Sequence, residues 1–346
     1  MLMRTALSAP LSALSIFSAE KSFRRNKVIG SRALNAQGLH RERVAAAARL
    51  SEKRRAALVD HVDPAERAAF DRDGFVIRHN ALPEDHHKAL LDELARIPRP
   101  AWEMRQSDTV TRVMPLPADN DGSAAAHLHR FLRRPDVRSL VGYVGGHTGH
   151  ILPMLQTVIA TPSEGGEDPQ ANLHADTFHP TAKLWLFLHD VEEEDGPFSY
   201  APGSHRLTPE RLEWEHHMSM EAAGDTDPHH SAGSFRLAEN ALESLGYGPV
   251  KTFPVPANTL VVADTYGFHR RTPSRRPTVR TSLYGIVRRN PFLPWNGLDP
   301  LDLPFLRTRT QQIYLSSQDR RKTVGKAVVY HNVGKVLAGD SATSAP

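Results

Sequence analysis

The sequence predicts a mainly β domain with flanking helices, and three observations carry that reading. Short apolar runs bounded by turn-forming residues recur at 151–160, 182–188, 258–264 and 278–284. Helical signals sit instead in the first 145 residues, at 38–58, 64–70, 83–97 and 134–143. At 346 residues with a 40% hydrophobic share, the chain suits one large domain or one domain plus an extension, and no internal repeat divides it.

Taken in order, residues 1–60 read as a basic arm and helix. Residues 1–55 hold 12 Lys/Arg against 3 Asp/Glu, so with a whole-chain charge of +4 the remainder is net acidic. Leu2, Met3, Leu7, Leu11, Leu14, Ile16 and Phe17 form an apolar pattern broken by Pro10 and serines, too short and polar to span a bilayer. A signal peptide would lack a convincing apolar stretch, whereas an Arg- and Ser-rich transit peptide stays open. The basic stretch 21–27 suits docking on the acidic domain, or a peripheral contact of residues 1–30 with an anionic membrane surface. No aromatic–basic interleaving marks a nucleic-acid groove. The expected location is cytoplasmic, at most peripheral to a membrane. Residues 41–55, rich in Arg and Ala, read as a solvated helix. Residues 61–338 form the expected domain, with a polar insertion at about 206–246 that would lie near a site as a lid or as a surface excursion. Residues 339–346 are expected to be a disordered tail.

Cysteine is absent, so any metal must be held by His and carboxylate. With 19 His and 39 acidic residues, chance alone yields about 2 His-x-Asp/Glu matches. The chain has three. His61-Val62-Asp63 precedes Pro64, which makes Asp63 a helix N-cap. His40-Arg41-Glu42 lies in the Arg-rich helix. His174-Ala175-Asp176 lies between two apolar runs, where residues i and i+2 of a strand share a face and reach one ion. His269 follows the 258–264 run. Arg280 and Ser282 share a face of the next, where a buried guanidinium needs a carboxylate, either from a ligand or from an internal Asp or Glu. Two histidines and a carboxylate with open positions favour non-haem Fe(II).

Residues 70–77 with Leu82-Pro83-Glu84, the turn 195–205 (Asp195-Gly196-Pro197 through Pro202-Gly203-Ser204-His205), and an arginine eleven residues after His269 complete a pattern. Over residues 65–290 the chain resembles the phytanoyl-CoA dioxygenase family of Fe(II)- and 2-oxoglutarate-dependent oxygenases. The resemblance implies a double-stranded β-helix (jelly-roll, cupin-like), whose closed antiparallel sheets let ligands from distant segments converge. It implies that His174, Asp176 and His269 bind iron and that Arg280 holds the distal carboxylate of 2-oxoglutarate. Trp185, Arg112 and Thr157 match positions at which relatives touch the cosubstrate, and Ser282 joins them by its face. Each has a plainer reading: Trp185 as a core aromatic, Arg112 as a surface ion pair, Thr157 as an ordinary barrel residue. The implied reaction uses O2 and converts 2-oxoglutarate to succinate while hydroxylating a small organic substrate. Asp176 argues against halogenation, in which relatives lack the carboxylate. One departure is Arg271, where relatives carry a small polar residue. With Arg270, Arg275 and Arg276 it forms a basic cluster that suggests an anionic substrate, although these arginines could instead pair with the acidic run 192–195 or with solvent. A catalytically silent jelly-roll that binds a ligand or partner is the alternative. The oligomeric state is not legible.

Overall fold

The computed structural model describes residues 14–118, 120–162, 168–287, 289–297, 299–307, 309–324 and 328–343. Among these, eleven strands form two antiparallel sheets. In chain order they are β1 (Phe75–Arg78), β2 (Arg99–Gln106), β3 (Thr109–Met114), β4 (Leu152–Ala160), β5 (Ala182–Phe187), β6 (Phe198–Tyr200), β7 (Lys251–Phe253), β8 (Thr259–Asp264), β9 (His269–Arg271), β10 (Thr278–Ile286) and β11 (His331–Val336). The larger sheet runs β1-β8-β5-β10-β4-β3-β2-β11 and the smaller runs β7-β6-β9. This is the double-stranded β-helix, and the four strands expected from the apolar runs are β4, β5, β8 and β10.

The two faces of the larger sheet have different tasks. Leu155, Leu184, Leu186, Leu260, Val262 and Leu283 point to the helices, meeting Leu90, Leu128, Leu140 and Val144. Each such side chain, fully buried, contributes roughly 1.5–3 kcal/mol. The opposite phase of the same strands faces the smaller sheet, where Phe75, Tyr200 and Ala263 pack with Trp185, Phe198 and Phe253. That inner face builds the site.

The helices start and stop as their ends dictate. Asp63 accepts from the backbone N–H of Ala65 and Glu66 ahead of Pro64, and the Pro64–Asp73 helix ends at Gly74 with φ 90°. A β-carbon at Gly74 would also sit 2.5 Å from His205 Nδ1, so this position needs glycine twice over.

Three expectations are corrected. The Leu39–Ala56 helix is not a solvated one: His40, Arg43, Val44, Ala47, Ser51, Arg54 and Arg55 are buried along one stripe. Its arginines lie inside because they find acceptors. Arg43 bonds the carbonyls of Ile16, Ser18 and Glu20, and Arg54 bonds those of Gly146, Pro291 and Leu293. Residue 60 is therefore no boundary in the packing, since Phe23 and Ile29 are buried against Ala222 and Phe235 of the insertion. Of the candidate membrane contact, residues 1–13 lie outside the described residues, and Leu14 and Phe17 are exposed. No described helix is long and apolar enough to cross a membrane. Finally, residues 339–343 of the expected tail are tied down through Thr343, whose N–H and hydroxyl donate to Glu103, while the carbonyls of Asp340 and Ser341 accept from Arg112; residues 344–346 lie outside the described residues.

Candidate metal and cosubstrate site

The segment carrying His174 and Asp176 is a single bridged stretch rather than a full strand, yet it is pinned on both sides. His174 exchanges two backbone hydrogen bonds of 3.0 Å with His269 at the start of β9, and the Asp176 N–H donates to the Thr265 carbonyl at 2.9 Å. On the other side, Ala175 donates to Phe235 and Leu237 donates to Leu173. The insertion thus braces the ligand segment from behind. None of its residues lines the central cavity.

The three side chains converge. One ligand atom from each of His174, Asp176 and His269 lies within 4.8 Å of the others. His174 Nε2 is 4.0 Å from Asp176 Oδ1, and His269 Nε2 is 3.7 Å from Oδ2. The Nδ1 of His174 meets the Asn172 carbonyl at 2.7 Å, and that of His269 meets the Gly267 carbonyl at 2.9 Å. A carbonyl at Nδ1 fixes the proton there and leaves the Nε2 lone pair for a metal. Burial holds both imidazoles below their usual range, and so neutral, as ligation requires. Burial alone would raise the Asp176 carboxyl, but the Lys183 ammonium beside it outweighs this and keeps it well below the usual range. Lys21 from the N-terminal arm donates to the Asp176 backbone carbonyl. The donor set, tautomers and charge all fit a divalent ion of the Fe(II) type.

Beside this centre lies a cavity of about 220 Å³, lined by His174, His269, Lys183, Trp185, Arg280 and Ser282 among others. Arg280 is 9% exposed. It donates to the main-chain carbonyl of Asp195, and among the described residues no carboxylate lies at ion-pair distance from it. Burial, then the nearby Arg271, pushes the guanidinium below its ordinary range. The internal Arg–Asp/Glu pair is thus not what forms. Instead, a buried cation faces a cavity next to a metal-type triad.

Arg112 and Thr157 are corrections. The register pairs Arg112 with Thr157, which puts both on the helix-facing side of the sheet. Their neighbours Thr111, Gln156 and Val158 line the cavity. In a strand, a one-residue slip exchanges the faces. Arg112 is fully buried and forks onto Glu103, at 2.6 and 2.9 Å. Thr157 shares a 2.8 Å hydroxyl contact with Thr281.

The basic cluster also resolves. Arg275 does not line the cavity. Arg276 is held by Glu192 and Asp195, both at 2.8 Å, as the acidic-run reading expected. Arg270 and Arg271 do line it, but Arg270 pairs with Glu239 at 2.9 Å and Arg271 with Asp168.

Sequence reasoning missed four contributors. Lys183 lies 2.6 Å from Asp176 Oδ2 and shares the β5 face of Trp185, so the i, i+2 phase carried the signal. Asp264 accepts from the N–H groups of Thr181 and Tyr266, both at 3.0 Å, and so ties together the loops that carry the ligands. A β-carbon at Gly267 would lie 1.7 Å from the Tyr200 hydroxyl, so only glycine lets the His269 segment pass. Lys21 is the fourth, and nothing in its sequence context announces it.

The family model for phytanoyl-CoA dioxygenase (PhyH) matches residues 70–241. That match spans 172 residues, just under half of the chain. The resemblance read from the motifs holds, and with it the dioxygenase class and its iron and 2-oxoglutarate chemistry. No curated protein matches the chain closely enough to count as a relative. Among solved structures, the chain is similar to the epimerase SnoN in complex with Fe3+, alpha ketoglutarate and nogalamycin RO. The identity is 19% over 67% of this chain and 83% of that one, with TM-score 0.42. It is similar to EctD from S. alaskensis with 2-oxoglutarate and 5-hydroxyectoine at 14% identity, 65% and 75% coverage and TM-score 0.38. It is also similar to HygX from Streptomyces hygroscopicus with nickel, 2-oxoglutarate and hygromycin B, at 15%, 65% and 86%, and 0.37. Likenesses this slight carry no argument about substrate.

Proposed function

We propose that the protein is an Fe(II)- and 2-oxoglutarate-dependent dioxygenase that hydroxylates a small organic substrate. The observation that carries this reading is one cavity lined by His174 and His269 of the triad and by the buried Arg280, which among the described residues donates to a backbone carbonyl and meets no carboxylate at ion-pair distance. His174 and His269 would bind iron through Nε2, and Asp176 through its carboxylate. Arg280 would hold the distal carboxylate of the cosubstrate, with Ser282 on the same face. Trp185, Phe198 and Tyr284 wall the cavity with aromatic rings. Bound Fe(II) would supply reductive activation of O2, coupled to conversion of 2-oxoglutarate to succinate and carbon dioxide. The protein's own part is to bind, orient and keep the site dry.

The expected anionic substrate draws limited support. Arg270 and Arg271 face the cavity but already carry carboxylate partners, so an anion would engage them by displacing Glu239 or Asp168. The packing of Phe23 and Ile29 favours docking of the arm on the domain over membrane contact through residues 1–30. The silent-module alternative must explain why the triad and Arg280 are assembled together. Succinate release from 2-oxoglutarate with Fe(II) and O2 tests the reading. Wild type is expected to release succinate even without substrate, and Asp176→Ala to release none. Full turnover by Asp176→Ala contradicts it.

A further inference from the structure

We propose that Lys183 is a positioning residue that sets how Asp176 meets a metal ion. Its ammonium occupies carboxylate oxygen Oδ2, which leaves Oδ1 as the ligand atom and keeps one more coordination position open. The inference rests on the iron reading above and adds a residue to it.

The two oxygens of Asp176 have different surroundings. Oδ1 is 4.0 Å from His174 Nε2, whereas Oδ2 is 2.6 Å from Lys183 Nζ and 3.7 Å from His269 Nε2. Both partners of the ion pair are 14% exposed, so solvent screens it little. Lys183 is held in place by β5, where it pairs with Ala263 of β8 and Ile286 of β10. Its phase on β5 with Trp185 aims it into the cavity rather than toward the helices. A carboxylate relieved of this cation can offer both oxygens to one ion. That adds a bond to the metal and removes a position needed by a chelating cosubstrate and O2. The ammonium also competes with a metal for the carboxylate's charge. Lys183 therefore trades metal affinity for an open site.

Co(II) alone and then 2-oxoglutarate, titrated calorimetrically into the full chain, provide the test, with the Co(II) visible spectrum recorded alongside. Lys183→Met is expected to bind Co(II) on the order of 10-fold more tightly, and its Co(II)-loaded form to bind 2-oxoglutarate on the order of 10-fold more weakly. The spectrum should change before cosubstrate is added. Lys183→Gln should show the same opposed shifts, and Lys183→Arg should behave as wild type. A purely structural lysine would weaken both affinities together. That outcome, or no change in either, overturns the proposal. If wild type binds no Co(II), the iron reading itself fails and this inference with it.

Discussion

Arg55 Nη2 lies 2.9 Å from Oδ2 of Asp264, and neither residue is open to solvent. The guanidinium comes from the Leu39–Ala56 helix, and the carboxylate ends β8, five residues before His269. Arg55 also donates to the carbonyls of Tyr143 and Val144, so most of its hydrogen-bonding capacity is used. The N-terminal helix is thereby part of the scaffold of the metal site.

Removing one partner of a buried pair strands the other charge. Arg55→Met is expected to destabilise the fold by about 3–5 kcal/mol, measured by urea unfolding. A loss below about 1 kcal/mol would mean that the helix is only loosely attached.

The C-terminal segment yields a second prediction. Arg112 is buried, and it bonds the carbonyls of Leu337, Asp340 and Ser341 as well as Glu103. Ending the chain after Ala338 removes the Asp340 and Ser341 acceptors, and should lower stability by about 1–3 kcal/mol. A frayed tail would leave the unfolding midpoint unchanged.

Much of this molecule was legible, and the failures share a cause. Apolar runs gave away β4, β5, β8 and β10, and His174, Asp176, His269 and Arg280 stood out by type and spacing because metal and carboxylate chemistry restricts the choice. The N-terminal stripe did not, because His40, Arg43, Arg54 and Arg55 look like surface residues until their carbonyl and carboxylate partners are seen. Arg112 and Thr157 read as cavity residues by position alone, where a shift of one residue reverses the face. Lys183 reads as one lysine in an apolar run, although its phase with Trp185 points inward.

Stability should depend on His147. Burial, helped by Arg54 and Arg289, lowers this imidazole from about 6.5 to about 4, and among the described residues neither ring nitrogen has a hydrogen-bond partner. The unfolded chain takes up the proton first. Stability is therefore full above pH 6.5, falls as pH drops from there, and levels off below about pH 4. The loss amounts to about 3 kcal/mol. The difference in unfolding free energy between wild type and His147→Phe, followed from pH 7.5 to 4, should change by this amount. A difference independent of pH would contradict the assignment.

Arg280 should act on the cosubstrate and not on the metal. Arg280→Leu is expected to weaken 2-oxoglutarate binding by about 2–3 kcal/mol and to leave Co(II) affinity within about twofold. Loss of both would indicate a general collapse of the cavity.

The most direct test of the central claim is anaerobic titration of the metal-free protein with Fe(II) and then 2-oxoglutarate, followed by visible absorption. A His174–Asp176–His269 iron centre chelated by the cosubstrate should develop a weak metal-to-ligand charge-transfer band that saturates at one equivalent of each and is absent in Asp176→Ala. If wild type shows no band and binds neither component, the triad is not an iron site and the account is wrong.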